Sequence, residues 1–346
     1  MTSSTLASLR IVFFGTPRFA LTTLEALLRS RHQVVGVVTQ PDKPRGRGQM
    51  TSSAPVKAHA SDVGLPIFQP EKLKDPLFSS SLAKLDGQLG VVAAYGRILP
   101  DVVLTAFPLG LINVHASLLP KYRGAAPVHR AVIAGEIETG VTIMRVVKAL
   151  DAGPMFARVT RPIGPSETSD DVERDLAHLG ADLLVEVADS IAAGTSVETA
   201  QNESEATYAS RLTKEDGIVD WSWPAERIHN LIRGLHPWPH AFSYLKGRRV
   251  ILHRSLVVAA LASPRPGTIV DLGADRLIIA TGKGSIQIEE IQAEGRRPMS
   301  AREFLAGHRL SIGEMFSSPT EPWTKDQGRT ENQGRTKDQG PGTRDE

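Results

Sequence analysis

At 346 residues with 41% apolar side chains, the chain is longer than one core usually supports and points to about two domains. Its 40 Lys plus Arg against 38 Asp plus Glu leave a formal net charge of only +2, which excludes a blanket polycation and leaves any nucleic-acid contact to local clusters. Without Cys there is no disulfide framework, thiolate nucleophile or Cys-based zinc site. The Ser/Thr-rich start lacks a basic and then apolar signal pattern, and no apolar run reaches the roughly 20 residues of a membrane helix, so a cytoplasmic, soluble protein is expected.

Short apolar runs alternate with amphipathic segments through the first half, the pattern of a parallel sheet covered by helices. Arg10–Phe14, Gln33–Thr39, Leu89–Ala94, Leu111–His115 and Val141–Val147 read as strands; Phe19–Ser30, Ala54–Val63, Pro76–Leu85, Asp101–Ala106 and Ala125–Ala134 read as helices. An α/β, doubly wound, mostly parallel sheet follows, with ligands expected beyond the carboxyl ends of its strands. A helix over Ser169–Ala193, with Val172, Leu176, Leu179, Leu183, Leu184 and Val187 at helical spacing, closes this domain, set at 1–193. The polar stretch 194–208 reads as a linker. From 209 to 316 the texture changes to one helix, Ala225–Leu235, and short β-rich runs at Arg249–His253, Gly267–Val270, Leu277–Ala280 and Ile286–Ile291, which predicts a smaller, OB-like β-barrel. The segment 317–346 repeats TKDQGRT at Thr324–Thr330 and in part at Thr336–Gly340 and reads as a disordered tail.

The richest chemistry lies in NVHASLLPKYRGAAP, Asn113–Pro127, and LDAGP, Leu150–Pro154. Asn113 and His115 are two apart at a strand end, so their side chains share a face. Asp151 follows the strand Val141–Val147, which would bring a carboxylate to the same edge if the two strands are parallel neighbours. On the residues alone, Asn113 and Asp151 read equally as turn formers, and His115 as a strand-end histidine with its hydrogen bonds satisfied. Gly15-Thr16-Pro17 after the first strand offers one glycine where a dinucleotide loop needs three, so no dinucleotide site is expected.

These two motifs resemble the signature of the folate-dependent formyltransferases: an Asn, a His two residues on, SLLP, and an Asp in LD-x-G. With FFGTP at Phe13–Pro17, TQPDKPRGRG at Thr39–Gly48, AYGRILP at Ala94–Pro100, TGVTIM at Thr139–Met144 and LTKEDGIVDWSWPAERIHNLIRGLHPWP at Leu212–Pro239, the resemblance extends over about Leu9–Met315 and is closest to the branch acting on methionyl-tRNA. It implies transfer of the formyl group of 10-formyltetrahydrofolate, as co-substrate, to the amino group of initiator methionyl-tRNA, without a metal. It also implies catalytic roles for Asn113, His115 and Asp151, with Ser117, Leu118, Leu119 and Pro120 bordering the folate. Formyl transfer passes through a tetrahedral intermediate bearing an oxyanion. Asn113 would donate to that oxygen, His115 would add a donor or a positive charge, and Asp151 would orient the imidazole. The nucleophile is the substrate's own α-amine, so no enzyme nucleophile is needed.

Gln40–Met50 holds Lys43, Arg45 and Arg47 among Pro and Gly. Composition alone describes a solvated loop, while the resemblance assigns these cations to the tRNA acceptor stem, where guanidinium groups suit phosphate contacts. Arg227, Arg233, Arg248, Arg249, Arg254, Arg296 and Arg297 give the second domain a local positive excess, which fits sequence-tolerant binding of a tRNA backbone. A monomer without membrane contact is expected. Rival readings are a glycinamide ribonucleotide or sugar-nucleotide formyltransferase, a 10-formyltetrahydrofolate hydrolase, and a catalytically idle tRNA-binding protein. The first group lacks the PRGRG insertion joined to this C-terminal module, the hydrolase needs neither, and the intact trio argues against the last.

Overall fold

The computed structural model describes residues 8–42, 44–45, 50–51, 53–259 and 265–317. They form two compact units, 1–212 with 226–240, and 213–225 with 241–346. Lys43, Arg47 and the tail from 318 onward lie outside the described residues.

The first unit begins as the hydrophobic periodicity predicts. Strand β1 (Arg10–Gly15), helix α1 (Arg18–Arg29) and strand β2 (Gln33–Val38) lead to a two-residue hairpin, β3 (Pro44–Arg45) with β4 (Met50–Thr51). Helix α2 (Pro55–Asp62), β5 (Ile67–Phe68), α3 (Pro76–Lys84), β6 (Leu89–Ala93), α4 (Asp101–Leu104) and β7 (Leu111–His115) follow. Next come β8 (Arg123–Gly124), α5 (Pro127–Ala134), β9 (Glu138–Arg145), β10 (Met155–Pro162), α6 (Ser169–Ala192), β11 (Tyr208–Ala209) and α7 (Ala225–Gly234). The main sheet has seven strands in the order β10-β9-β7-β6-β1-β2-β5. Apolar residues of α1, α2, α5 and α6 pack on one face, and those of α3 and α4 on the other, which gives the doubly wound arrangement. Gly15 ends β1 where a Cβ would stand 2.7 Å from the Ala20 methyl, so strand and helix approach more closely there than any larger residue permits.

Two expectations are corrected. Strand β9 pairs with β7 antiparallel, not parallel, and it is followed by an unanticipated strand, β10, also antiparallel to β9. Helix α7 was read as opening the second domain, but 226–240 belongs to the first unit. The Arg233 guanidinium donates to the carbonyls of Gly164 (3.3 Å) and Glu167 (3.1 Å), and the Ser169 hydroxyl to that of Gly234 (2.8 Å). Arg233 is 7% exposed, which removes it from the cations expected to face RNA.

The second unit is an antiparallel sheet of β12 (Ala241–Leu245), β13 (Arg248–Val258), β14 (Ile269–Leu272), β15 (Leu277–Ala280), β16 (Ser285–Ala293), β17 (Met299–Ser300) and β18 (Phe316–Ser317), with helix α8 at Ala301–Gly307. The path runs β14-β15-β16-β13-β12-β18. Its two ends meet through a bridge between Thr268 and Met315 and backbone bonds from Ile269 to Glu314 and from Phe316 to Gly267, both 2.8 Å. This closes a small barrel. Trp221, Phe242, Leu252, Ile279, Ile288 and Phe316 are among its buried core residues. The Trp221 indole donates to the Ser243 hydroxyl at 2.9 Å, and that hydroxyl donates to the Ser317 carbonyl at 2.8 Å. Ser317, read as the start of the tail, is therefore part of the barrel.

Candidate active site

The carboxyl end of β7 positions the first two groups. Ile112 and Val114 join the core on the face covered by α1, α5 and α6, so strand alternation turns Asn113 and His115 to the opposite face. The Asn113 side chain is half-buried and makes no hydrogen bond among the described residues, leaving its amide N–H groups available. His115 is buried, and its Nε2 stands 3.0 Å from the Tyr122 carbonyl. A carbonyl only accepts, so Nε2 is the nitrogen that carries a proton. Nδ1 then faces the Asp151 carboxylate at 3.7 Å, within ion-pair range but beyond a hydrogen bond.

Asp151 arrives by a different route from the one the strand pattern suggested. Because β9 runs antiparallel, Asp151 sits on the turn joining β9 to β10, with φ of 47°. Its Oδ2 accepts the Gly124 N–H at 2.8 Å. The structure thus brings Asn113, His115 and Asp151 to one edge, although the antiparallel pairing differs from the one used to place them there.

The Ala116–Gly124 segment is held from within and by β9. The Ser117 hydroxyl donates to the Lys121 carbonyl at 2.6 Å, the Thr142 hydroxyl donates to the Ser117 carbonyl at 2.7 Å, and the Leu119 N–H donates to the Thr142 hydroxyl at 3.1 Å. Ser117, Leu119 and Pro120 are buried, while Leu118 is half-buried. Of the four residues expected to border folate, three therefore shape the loop, and only the Leu118 side chain has open surface. The Tyr122 hydroxyl donates to Glu136 at 2.7 Å; burial, reinforced by that carboxylate, pushes the phenol well above its ordinary range and keeps it a donor.

The stretch read as a linker instead lies across this edge. Thr199 and Met155 exchange backbone hydrogen bonds of 2.8 Å, and β11 pairs in parallel with β8. The Tyr122 N–H donates to the Thr207 hydroxyl at 2.8 Å. Gln201 donates from Nε2 to the carbonyls of Asp151 (2.8 Å) and Gly153 (2.7 Å). Arg123, with 2% of its side chain exposed, donates to Gln201 Oε1 and to both Glu203 oxygens, which holds the Glu203 carboxyl below the usual carboxylate range. Sequence reasoning missed Gln201, Glu203 and Thr207. The available signal was the polar run itself, which has amide and hydroxyl groups able to bond backbone but no apolar period.

The basic loop is described only at its base. Asp42 pairs with Lys57 and accepts from Gln69 at 3.2 Å, and Arg45 contributes backbone to the β3-β4 hairpin. Lys43 and Arg47 lie outside the described residues. In the barrel, Arg248, Arg254 and Arg296 are exposed, and the antiparallel β13 and β16 put Arg248 and Arg296 at one end. Arg249 lies over the Phe242 ring at 3.9 Å, and Arg297 is paired with Glu303 at 3.0 Å. No helix among the described residues is long and apolar enough to cross a membrane.

The formyl transferase profile matches residues 9–188, and the formyl transferase C-terminal domain profile matches 211–309. The chain is 46% identical to the methionyl-tRNA formyltransferase of Desulfotalea psychrophila over 88% of its own length and 94% of the relative's. It is 44% identical to that of Solibacter usitatus over 88% and 98%. Among solved structures, an N-formyltransferase from Helicobacter canadensis in complex with folinic acid and dTDP-3-aminofucose shares the fold at TM-score 0.61 and 18% identity, covering 82% of this chain and 99% of that one. HypX from Aquifex aeolicus in complex with tetrahydrofolic acid shares it at TM-score 0.59 and 17% identity, covering 92% and 50%.

Proposed function

Since the chain belongs to the methionyl-tRNA formyltransferase family, we propose that it transfers the formyl group of 10-formyltetrahydrofolate to the α-amine of initiator methionyl-tRNA, giving N-formylmethionyl-tRNA for translation initiation. The observation that carries the chemistry is the convergence of an unengaged Asn113 amide, a buried His115 and the Asp151 carboxylate at one sheet edge. In the transfer, the amine attacks the formyl carbon, the bond from that carbon to N10 of the folate breaks, and the proton lost by the amine is taken up by the leaving nitrogen.

Asn113 donates to the formyl oxygen as it gains negative charge, an interaction stronger in the transition state than in the ground state. His115 is held by the Tyr122 carbonyl through Nε2, so Nδ1 is the nitrogen that faces the Asp151 carboxylate. Protonated there, it adds positive charge beside the oxyanion and forms a full ion pair with Asp151. The α-amine has an intrinsic pKa of about 7.7 to 8.0, so part of it is already a free nucleophile near neutral pH. The folate donor rests against the loop Ala116–Pro120, with backbone and Leu118 as its contacts and Ser117, Leu119 and Pro120 as the buried support. Lys43, Arg45 and Arg47 engage tRNA phosphates, together with exposed arginines of the barrel. The enzyme acts as a cytoplasmic monomer, with the catalytic chemistry on the first unit, the barrel as a tRNA-binding module and no metal in the reaction.

The test is a substrate panel. The chain is incubated with 10-formyltetrahydrofolate and either methionyl-tRNA, glycinamide ribonucleotide, an amino-sugar nucleotide or water alone, and tetrahydrofolate release is followed. Release dependent on methionyl-tRNA is the expected result. Equal release in water, or release driven by a small amine, overturns the assignment.

A further inference from the structure

We infer that Gln201 is a positioning residue for formyl transfer, which sets the place of Asp151 through the backbone of its turn; this rests on the role given to Asp151 above. Asp151 occupies the left-handed region, φ 47°, a conformation that strains a residue with a side chain and is kept where neighbours hold it. The turn is closed at its base by the Arg145 N–H on the Pro154 carbonyl at 2.8 Å and carries one long internal bond, Ala152 N–H to the Ala149 carbonyl at 3.4 Å, neither of which involves Asp151. Leu150 is exposed, and the Lys148–Asp101 pair at 3.3 Å joins two side chains that are 83% and 72% exposed, a kind of surface pair that contributes little. Asp151 is seated by the Gly124 N–H on its carboxylate and by the Gln201 amide bridging the Asp151 and Gly153 carbonyls.

The orientation of that amide is determined by its other end. Arg123 donates to Gln201 Oε1 from Nε at 3.1 Å and from Nη2 at 2.8 Å. A guanidinium has no acceptor, so the oxygen must face it and both N–H groups of Nε2 must face the two carbonyls. All four hydrogen-bonding positions of the amide are thereby occupied. Arg123 is locked in turn by Glu203 (2.7 Å and 2.9 Å) and through its own N–H by the Thr207 carbonyl at 2.8 Å. The arrangement matters because Asp151 stands 3.7 Å from His115 Nδ1, where a shift of less than an ångström decides whether the pair closes into a hydrogen bond. Misplacement of a catalytic group by about 1 Å can cost on the order of 100-fold in rate.

The experiment is a double-mutant cycle in the full chain with Gln201→Met, which keeps length but has no donors, and Asp151→Ala, with kcat and both KM values measured for formylation of methionyl-tRNA. In the parent background, Gln201→Met should lower kcat by about 10- to 100-fold while KM for each substrate stays within about threefold. In the Asp151→Ala background it should have almost no further effect, because the residue it positions is gone. Gln201→Glu provides a second variant that can still bond Arg123 but opposes the two carbonyls with a carboxylate, and it should lose kcat in the same way with its melting temperature kept. An equal loss in both backgrounds, or a Gln201→Met enzyme with parental kcat, overturns the positioning role alone. A fully active Asp151→Ala enzyme overturns it together with the assignment of Asp151.

Discussion

The two segments that meet at the candidate site are built on opposite plans. Ala116–Gly124 is tied to itself and to β9 through the hydroxyls of Ser117 and Thr142 and the Leu119 N–H, and its far end is tied to the 201–209 stretch through Tyr122 and Arg123. The Lys148–Gly153 turn has no comparable internal set and takes its restraints from Gly124 and Gln201. The near end of the first segment is therefore held by bonds of its own and of β9, whereas the carboxylate of the second is seated on Gly124 and Gln201. Substitutions in the first should register in stability and those behind the second in turnover, a division that separates a rigid support from a precisely held catalytic group.

The largest expected effect lies in neither segment but at the carboxyl end of β7, just before the first begins. Asn113→Ala removes an oxyanion donor and should lower kcat by about 100-fold or more with folate affinity nearly kept; Asp151→Asn should cost less, because the amide still accepts the Gly124 N–H. Near-parental turnover of Asn113→Ala, measured at saturating substrates, would remove Asn113 from the chemistry. Gly124→Ala strikes where the two segments touch. Its φ is 117° and a Cβ would lie 2.8 Å from the Ala209 carbonyl oxygen, so a loss of about 1–3 kcal/mol in stability is expected. Turnover should fall with it, as read by thermal melts beside kcat.

The basic loop extends the comparison to a region that should be independent of both segments. Arg45→Ala with Arg47→Ala should reduce the slope of log tRNA affinity against log salt by between about one and two units if both reach phosphate. The decline should appear in kcat/KM for methionyl-tRNA, with folate binding unchanged. An unaltered slope and kcat/KM would return the loop to a solvated connection. An unaltered slope with weaker discrimination between initiator and elongator tRNA would point to base-edge or shape readout. The smallest effect belongs to the tail. Removal of Ser318–Glu346 should leave melting temperature and activity almost unchanged, and a clear drop in either would make that segment functional.

What could be read from the sequence tracks the kind of force involved. Strand β7 was legible to its last residue because Leu111–His115 alternates between two apolar faces, and α6 was legible because its buried residues recur at helical spacing. The direction of β9 was not legible, since apolar periodicity is the same whichever way a strand runs. Strand β10, MFARVTRP, has only Met155 of its eight residues buried, so it lacks the apolar run by which the other strands were recognised. The motifs singled out Asn113, His115 and Asp151, which the fold brings to one edge. The residues behind it were not, because Gln201 and Arg123 act through amide, guanidinium and backbone bonds that leave no periodic trace. Leu231 and Ile232 betray α7 as amphipathic, but no pattern says which unit receives its buried side.

The strap that crosses the site also has a consequence for how the chain is made. Thr207 and Tyr122 are 85 positions apart, and Gln201 and Arg123 are 78 apart. Synthesis proceeds from the amino terminus at roughly 5–20 residues per second, so a nascent chain exposed as far as Ala192 holds Asn113, His115, Asp151 and all seven strands of the main sheet, yet lacks the ties from Gln201 and Thr207. A chain halted there would lack the segment that crosses the site, and the residues through Ala209 follow within about one to three seconds at that rate.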